Sequence, residues 1–218
     1  MILATTLAQT ADFFVKGGLF MGLLLILSVA SLTVILLRGR ALRARVVVPE
    51  AIAEAVEKLA PGEGLDALER AITRNPSALG RILTTLIQHR NWPRIENLEA
   101  VQTRARHEFT RLEKGLILLE IATGTGPLLG LLGTLSGLVG VFAALGGNGD
   151  PVIVARGISE ALNCTIVGLA VAVPSLIAYS YYLRRIEMMA VEMESLTADL
   201  LVKCYPLGEP IRRADSRF

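Results

Sequence analysis

Histidine, cysteine and aromatic residues are scarce: the 218 residues hold two histidines, two cysteines and 5% Phe, Trp and Tyr. A metal centre needs a group of ligands at coordinating spacing, and His89, His107, Cys164 and Cys204 form none. The same count excludes a disulfide framework. Cys164 lies in an apolar run and Cys204 in a polar tail, so both are expected to be free thiols. A phosphate-binding loop and a nucleophile elbow are also missing, which removes the common enzyme signatures and leaves no case for a catalytic residue or a cofactor. Charged residues make up 19% of the chain with a net charge of +2, and no basic patch with interleaved aromatics occurs, so nucleic acid is not an expected partner.

What the chain has instead is apolar length. Hydrophobic residues account for 52%, too many for an ordinary soluble domain. Three runs reach the roughly 20 residues that cross a bilayer: 18–37, 121–145 and 161–183. The sequence therefore predicts an all-α integral membrane protein with three transmembrane helices. Arg38, Arg40, Arg43 and Arg45 follow the first run instead of preceding it, which fits a retained helix and not a signal peptide. Basic residues favour the cytoplasmic side, and they also gather before the second run (Arg104, Arg106, Arg111, Lys114) and after the third (Arg184, Arg185). This gives an N-out, C-in topology. An outer segment 1–17 precedes the first span, a helical cytoplasmic domain fills 38–120, an outer loop covers 146–160, and a helical cytoplasmic tail fills 184–218.

Within the cytoplasmic part, residues 49–60 and 65–74 read as short amphipathic helices separated by Pro61-Gly62-Glu63-Gly64, and Asn75-Pro76-Ser77 opens another to about Arg90. Pro93 suits a first helical position. From there Ile95, Leu98, Val101, Ala105, Phe109, Leu112, Leu116 and Leu119 recur at threes and fours, predicting one helix from 93 to 145. The third span continues similarly through Ile186, Met189, Met193, Leu196 and Leu200, so helices two and three both extend into the cytoplasmic domain. His89 and His107 fall in this polar region and are expected to serve surface or packing roles.

The second span carries Gly124, Gly126, Gly130, Gly133, Gly137 and Gly140 around Thr134 and Ser136. Lipid tails are as apolar as leucine, so membrane helices associate by close packing, which small residues at spacings of three and four permit. Gly130, Gly133, Gly137, Gly140 and Gly168 are the expected packing positions, and Pro174 the expected bend of the third span. Thr134 and Thr165 admit two readings: each hydroxyl satisfies a carbonyl of its own helix, or, lying beside glycines, faces a polar interior. Glu160 likewise sits at headgroup level or near a helix start, or faces a cavity or partner. Five residues separate it from Thr165, about 140° around a helix, so the two do not share a face. Ser136 and Asn163 add weaker polar surface, while Lys114 and Glu120 read as interfacial.

The segments PLLGLLGTLSGLVGVF (127–142) and GISEALNCTIVGLAVAVPSLIAY (157–179) resemble the second and third membrane helices of the MotA, TolQ and ExbB proton-channel family. The layout of three spans, one large cytoplasmic loop and a helical tail is similar to its ExbB and TolQ members. Leu135-Ser136 and Asn163-Cys164 depart from the usual pairs at those places, and three spans argue against a flagellar-type stator. The resemblance implies a multi-pass bacterial inner-membrane protein forming a homo-oligomeric ring, a pentamer in the family. It also implies an ExbD- or TolR-like single-span partner that supplies a membrane aspartate, and a TonB- or TolA-like energy transducer. Thr134 and Thr165 would then line the ion path and Glu160 would stand at its mouth. The function implied is a proton-channel or stator subunit that energises transport or envelope processes. The alternatives are a non-conducting membrane scaffold, or a stator using another ion or driving motility; a solute exporter has little support, since no internal repeat is present.

Overall fold

The computed structural model describes residues 18–61, 63–144 and 151–205, and among these every regular element is helical. Eight helices follow in order: α1 Gly18–Ala41, α2 Ala44–Val47, α3 Glu50–Lys58, α4 Asp66–Arg74, α5 Ala78–Gln88, α6 Arg94–Glu113, α7 Leu116–Ala144 and α8 Pro151–Cys204. The expected outer segment 1–17, Gly62 of the expected turn, Leu145 and the end of the tail lie outside the described residues. Three helices are long and apolar enough to span a membrane: α1, α7 and α8. The chain divides into two compact units, Met1–Arg38 with Gly115–Tyr182, and Gly39–Lys114 with Leu183–Phe218.

The first unit consists of α1, α7 and the first part of α8. Contacts between α7 and α8 run in opposite senses along the two helices. Gly126 faces Gly168 and Ala172, Gly130 faces Cys164 and Thr165, and Gly137 faces Ala161. The pair is therefore antiparallel. By contrast α1 runs parallel to α8, because Ser31 meets Ser175 and Ile35 meets Tyr182. Leu128, Leu131, Leu135 and Val139 of α7, with Ile166, Leu169 and Val173 of α8, stay exposed. Such a surface suits lipid or further protein and not water.

In the second unit α2 to α6 pack with the distal part of α8. Ile52, Val56, Leu68, Leu79, Ile82, Leu83, Leu86, Met193 and Leu200 form its core. Ser77 caps α5 by accepting from the Gly80 amide at 3.1 Å. Lys203 of α8 donates to the Val56 and Glu57 carbonyls at 2.7 and 3.1 Å, satisfying the open end of α3. Asn97, wholly buried, donates to the Leu86 carbonyl and to the Tyr205 hydroxyl.

Two expectations about helix limits need correction. The continuous helix from 93 to 145 is broken: α6 ends at Glu113, Lys114 is extended (φ −51°, ψ 124°), and Gly115 has φ +91° before α7 begins. Only glycine adopts that conformation without strain. Leu112, Leu116 and Leu119 keep helical spacing across the break, so periodicity alone could not reveal it. The expected loop at 146–160 is helical from Pro151 onward. Proline fits a first helical position, and Arg156 and Glu160 are spaced four apart along the helix and pair at 3.3 Å. The first span also runs on, carrying Arg38 and Arg40 within α1 to Ala41.

The apolar stripe of α6 is not its most buried face. Asn97, Val101 and Glu108 are buried while Ile95 is 72% exposed. Leu98, Val101, Ala105 and Phe109 line an apolar hollow of about 360 Å³ with Ile82, Leu86 and Met193.

Candidate functional site

The crossing of α7 over α8 brings together the two threonines. A Cβ on Gly130 would stand 2.8 Å from the Cys164 carbonyl oxygen and 3.0 Å from the Thr165 Cα, and one on Gly168 would stand 2.5 Å from the Gly126 oxygen. The backbones meet there because hydrogens occupy those places. Gly133 and Gly137 give similar approach, to Cys164 and Ala161. Gly140, expected among the packing positions, differs: among the described residues a Cβ there meets nothing within 4 Å, and the same holds for Gly124.

At this approach the Thr134 and Thr165 hydroxyl oxygens lie 2.5 Å apart. Thr134 also has the Gly130 carbonyl of its own helix at 3.1 Å and the Ala161 carbonyl of α8 at 3.1 Å. Thr165 reaches across to the Gly130 carbonyl at 3.2 Å. Gly130 and Ala161 are the residues four before Thr134 and Thr165, so each hydroxyl reaches the carbonyl that the other would use for a bond within its own helix. The two hydroxyls hold two protons between them and face two carbonyl oxygens besides their own, so several donor arrangements of nearly equal geometry are available. Thr134 is 8% exposed and Thr165 half-buried.

The other candidates are not part of this cluster. Glu160 lies one turn and a half before Thr165 along α8. It is the tenth residue of its helix and not its start, and it pairs with exposed Arg156. Ser136 is exposed and Asn163 half-buried. Pro174 sits inside α8, which continues through it as a helix. His89 packs on Trp92 with ring centroids 4.0 Å apart, its Nδ1 2.8 Å from the Thr85 carbonyl, and His107 is exposed. Among the described residues no group of three His, Cys, Asp or Glu could hold a metal ion.

Two polar clusters escaped the sequence reading. One is Ser31 with Ser175, 3.0 Å apart and both buried; the signal was a serine standing in the first apolar run. The other is Glu108, 1% exposed, which accepts from Arg81 at 2.9 and 2.6 Å and pairs with Arg104 at 2.9 Å. Burial pushes the Glu108 carboxyl up, but the hydrogen bonds and charge of Arg81, then Arg104 and Arg111, together hold it below its ordinary value. Arg104 and Arg111 were legible only as topology signals, and Arg81 carried no signal at all. Burial raises the Cys204 thiol above its ordinary value against the pull of Arg90.

Three apolar helices, two of them packed through glycine around paired hydroxyls, define a polytopic membrane protein with a polar contact buried between its spans. The chain belongs to the MotA/TolQ/ExbB proton channel family, whose sequence pattern matches residues 74–195. It is 34% identical over 181 residues to the biopolymer transport protein ExbB-like 1 of Synechocystis sp., covering 80% of this chain and 71% of that protein. It is 35% identical over 145 residues to a biopolymer transport protein ExbB homolog of Methanothermobacter thermautotrophicus, covering 66% of this chain but only 51% of that one. With the biopolymer transport protein ExbB of Neisseria gonorrhoeae it shares 30% identity over 155 residues, 63% of this chain and 70% of the relative. The relatives it matches are thus named biopolymer transport proteins of the ExbB kind, and the chain spans about half the length of one and 70–71% of the other two.

Proposed function

We propose that this protein is a subunit of an inner-membrane, proton-driven motor of the ExbB and TolQ kind, which uses the proton motive force to energise work across the periplasm. The observation that carries the reading is the Thr134–Thr165 hydroxyl pair at the glycine crossing. A hydroxyl both donates and accepts, so a pair with alternative acceptors can reverse its donor direction as a proton passes. Between Glu120 and Glu160 the one acidic residue is Asp150, outside the two apolar runs, and none lies between Glu160 and Tyr182. A titratable group must therefore come from a partner, and an ExbD- or TolR-like helix with a membrane aspartate supplies the missing chemistry. Each charge moved through 100 mV yields about 2.3 kcal/mol for mechanical work.

On this reading the chains form a ring, a pentamer, around the partner helix, with the N-terminus outside and α3 to α6 in the cytoplasm. Glu160 then stands at the outer mouth, and a TonB- or TolA-like transducer takes up the motion. The open apolar faces of α7 and α8 offer surface for neighbouring subunits and lipid.

A second reading has its own support: each threonine hydroxyl finds acceptors within the chain, so the pair serves equally as a clasp in a non-conducting scaffold. Thr134→Val and Thr165→Val separate the two, because they remove hydroxyls at nearly constant volume. With the partner co-expressed, a proton-path role predicts assemblies of wild-type mass by native mass spectrometry and loss of proton flux in reconstituted vesicles. Normal flux in both variants would overturn the channel role of the pair, and loss of assembly would favour the clasp.

A further inference from the structure

Pro174 interrupts the hydrogen bonding of α8, since it has no amide hydrogen to offer the Ala170 carbonyl four residues back. The next residue is Ser175, wholly buried, whose hydroxyl lies 2.7 Å from the Val171 carbonyl and 3.0 Å from the Ser31 hydroxyl of α1. A serine has one proton to give. The carbonyl can only accept, and it is the nearer group, so Ser175 donates to Val171. Ser31 must then donate to Ser175. The bonds therefore run in one direction, from α1 through Ser175 to the backbone beside the proline.

Ser31 is 4% exposed. Ser175 is its hydrogen-bond partner among the described residues, so loss of the pair leaves a buried hydroxyl without one. Seven residues beyond Ser175, Tyr182 donates to the Ile35 carbonyl of α1 at 2.7 Å. Two stitches thus fasten α1 along the stretch of α8 that immediately follows Pro174. Serine bonding back to its own helix favours bending, and a missing amide weakens the same turn. The local chemistry makes this the easiest place for α8 to flex, and α1 is tied to it there.

We infer that Ser31 is a positioning residue: through Ser175 it makes α1 a splint for the proline-weakened turn of α8 and so fixes how the helix continues beyond Thr165. Its consequence for flux rests on the proposed channel function; its consequence for α8 does not. The test is amide hydrogen exchange of the full chain with its partner in detergent micelles, paired with proton flux in vesicles. Ser31→Ala is expected to speed exchange at 171–179 at least tenfold, leave assembly mass unchanged and lower flux several-fold, whereas Ser31→Thr, which keeps the hydroxyl, restores both. Adding Pro174→Ala to Ser31→Ala should return exchange toward the wild-type rate, because a continuous helix needs no splint.

Unchanged exchange in Ser31→Ala, or faster exchange that Pro174→Ala does not reduce, overturns the inference. Should Ser31→Ala fail to accumulate, Ser175→Ala is read in the same way from the α8 side of the pair. Thr165→Val keeps the two ideas apart. Normal flux in that variant and in Thr134→Val, with Ser31→Ala still loosening α8, would sink the channel reading and leave the splint standing.

Discussion

Replacing Gly168 with alanine tests the crossing most directly. The added Cβ would lie 2.5 Å from the Gly126 carbonyl oxygen and 3.1 Å from the Gly130 Cα, against the 3.4 Å at which ordinary contact begins. Both are backbone atoms, so no flexible side chain can swing aside, and α7 and α8 must part by close to an ångström. The bond from Thr165 to the Gly130 carbonyl, already 3.2 Å, then passes out of hydrogen-bond range. Overpacking of this kind costs about 1–3 kcal/mol, and the separated hydroxyls add about 1 kcal/mol for a lost hydrogen bond. Reversible unfolding in mixed micelles should register a loss of about 2–4 kcal/mol for Gly168→Ala. Gly140→Ala supplies the contrast, because open space surrounds that position, and it should fall within about 0.5 kcal/mol of wild type. Wild-type stability in Gly168→Ala, or an equal loss in Gly140→Ala, would refute the argument from close approach.

Three further outcomes concern the rest of the chain. Glu108→Gln should lower the stability of the second unit by about 1–3 kcal/mol in denaturant melts, between the values for an exposed pair and for a broken buried one, because Arg81 and Arg104 are partly hydrated. In the wild type the Glu108 carboxyl titrates below its unfolded value of 4.5, so its contribution is complete above about pH 4.5 and fades as pH falls through the depressed folded value; a pH series of melts should show this loss, and Glu108→Gln should flatten it. Gly115→Ala should cost about 1 kcal/mol or more, read as a lowered thermal midpoint, since φ +91° strains any residue with a Cβ. Lys203→Met removes the donor to Val56 and Glu57, and hydrogen exchange at the end of α3 should speed by about tenfold or more, matching about 1.5–3 kcal/mol for bonds from a charged group.

The three spans were readable because few structures apart from a bilayer crossing call for about 20 consecutive apolar residues. Ser77 and Pro93 also announced the helices they precede, α5 and α6, for reasons of local chemistry. The limits that escaped share a cause. At Gly115 the apolar spacing continues across a residue of positive φ, and at Pro151 the helix begins ten residues before the apolar run that marked the span. Glu108 could not be singled out because a sequence shows no partner 27 residues away, yet Arg81 reaches it from α5. Glycine spacing announced close packing in general but could not distinguish Gly130, which meets α8, from Gly140, whose added Cβ meets nothing within 4 Å among the described residues.

The sequence by itself determined that this chain crosses a membrane, that its second and third spans are suited to close contact, and that hydroxyls lie within them. Those properties follow from composition and spacing along a helix. Only the tertiary structure decided that Thr134 and Thr165 exchange carbonyl partners, that Ser31 meets Ser175 beside Pro174, and that Glu108 is buried between arginines. Each of these depends on the rotation and register of one helix against another. A shift of one residue turns a helical side chain by about 100°, and no local pattern fixes that angle before the helices pack.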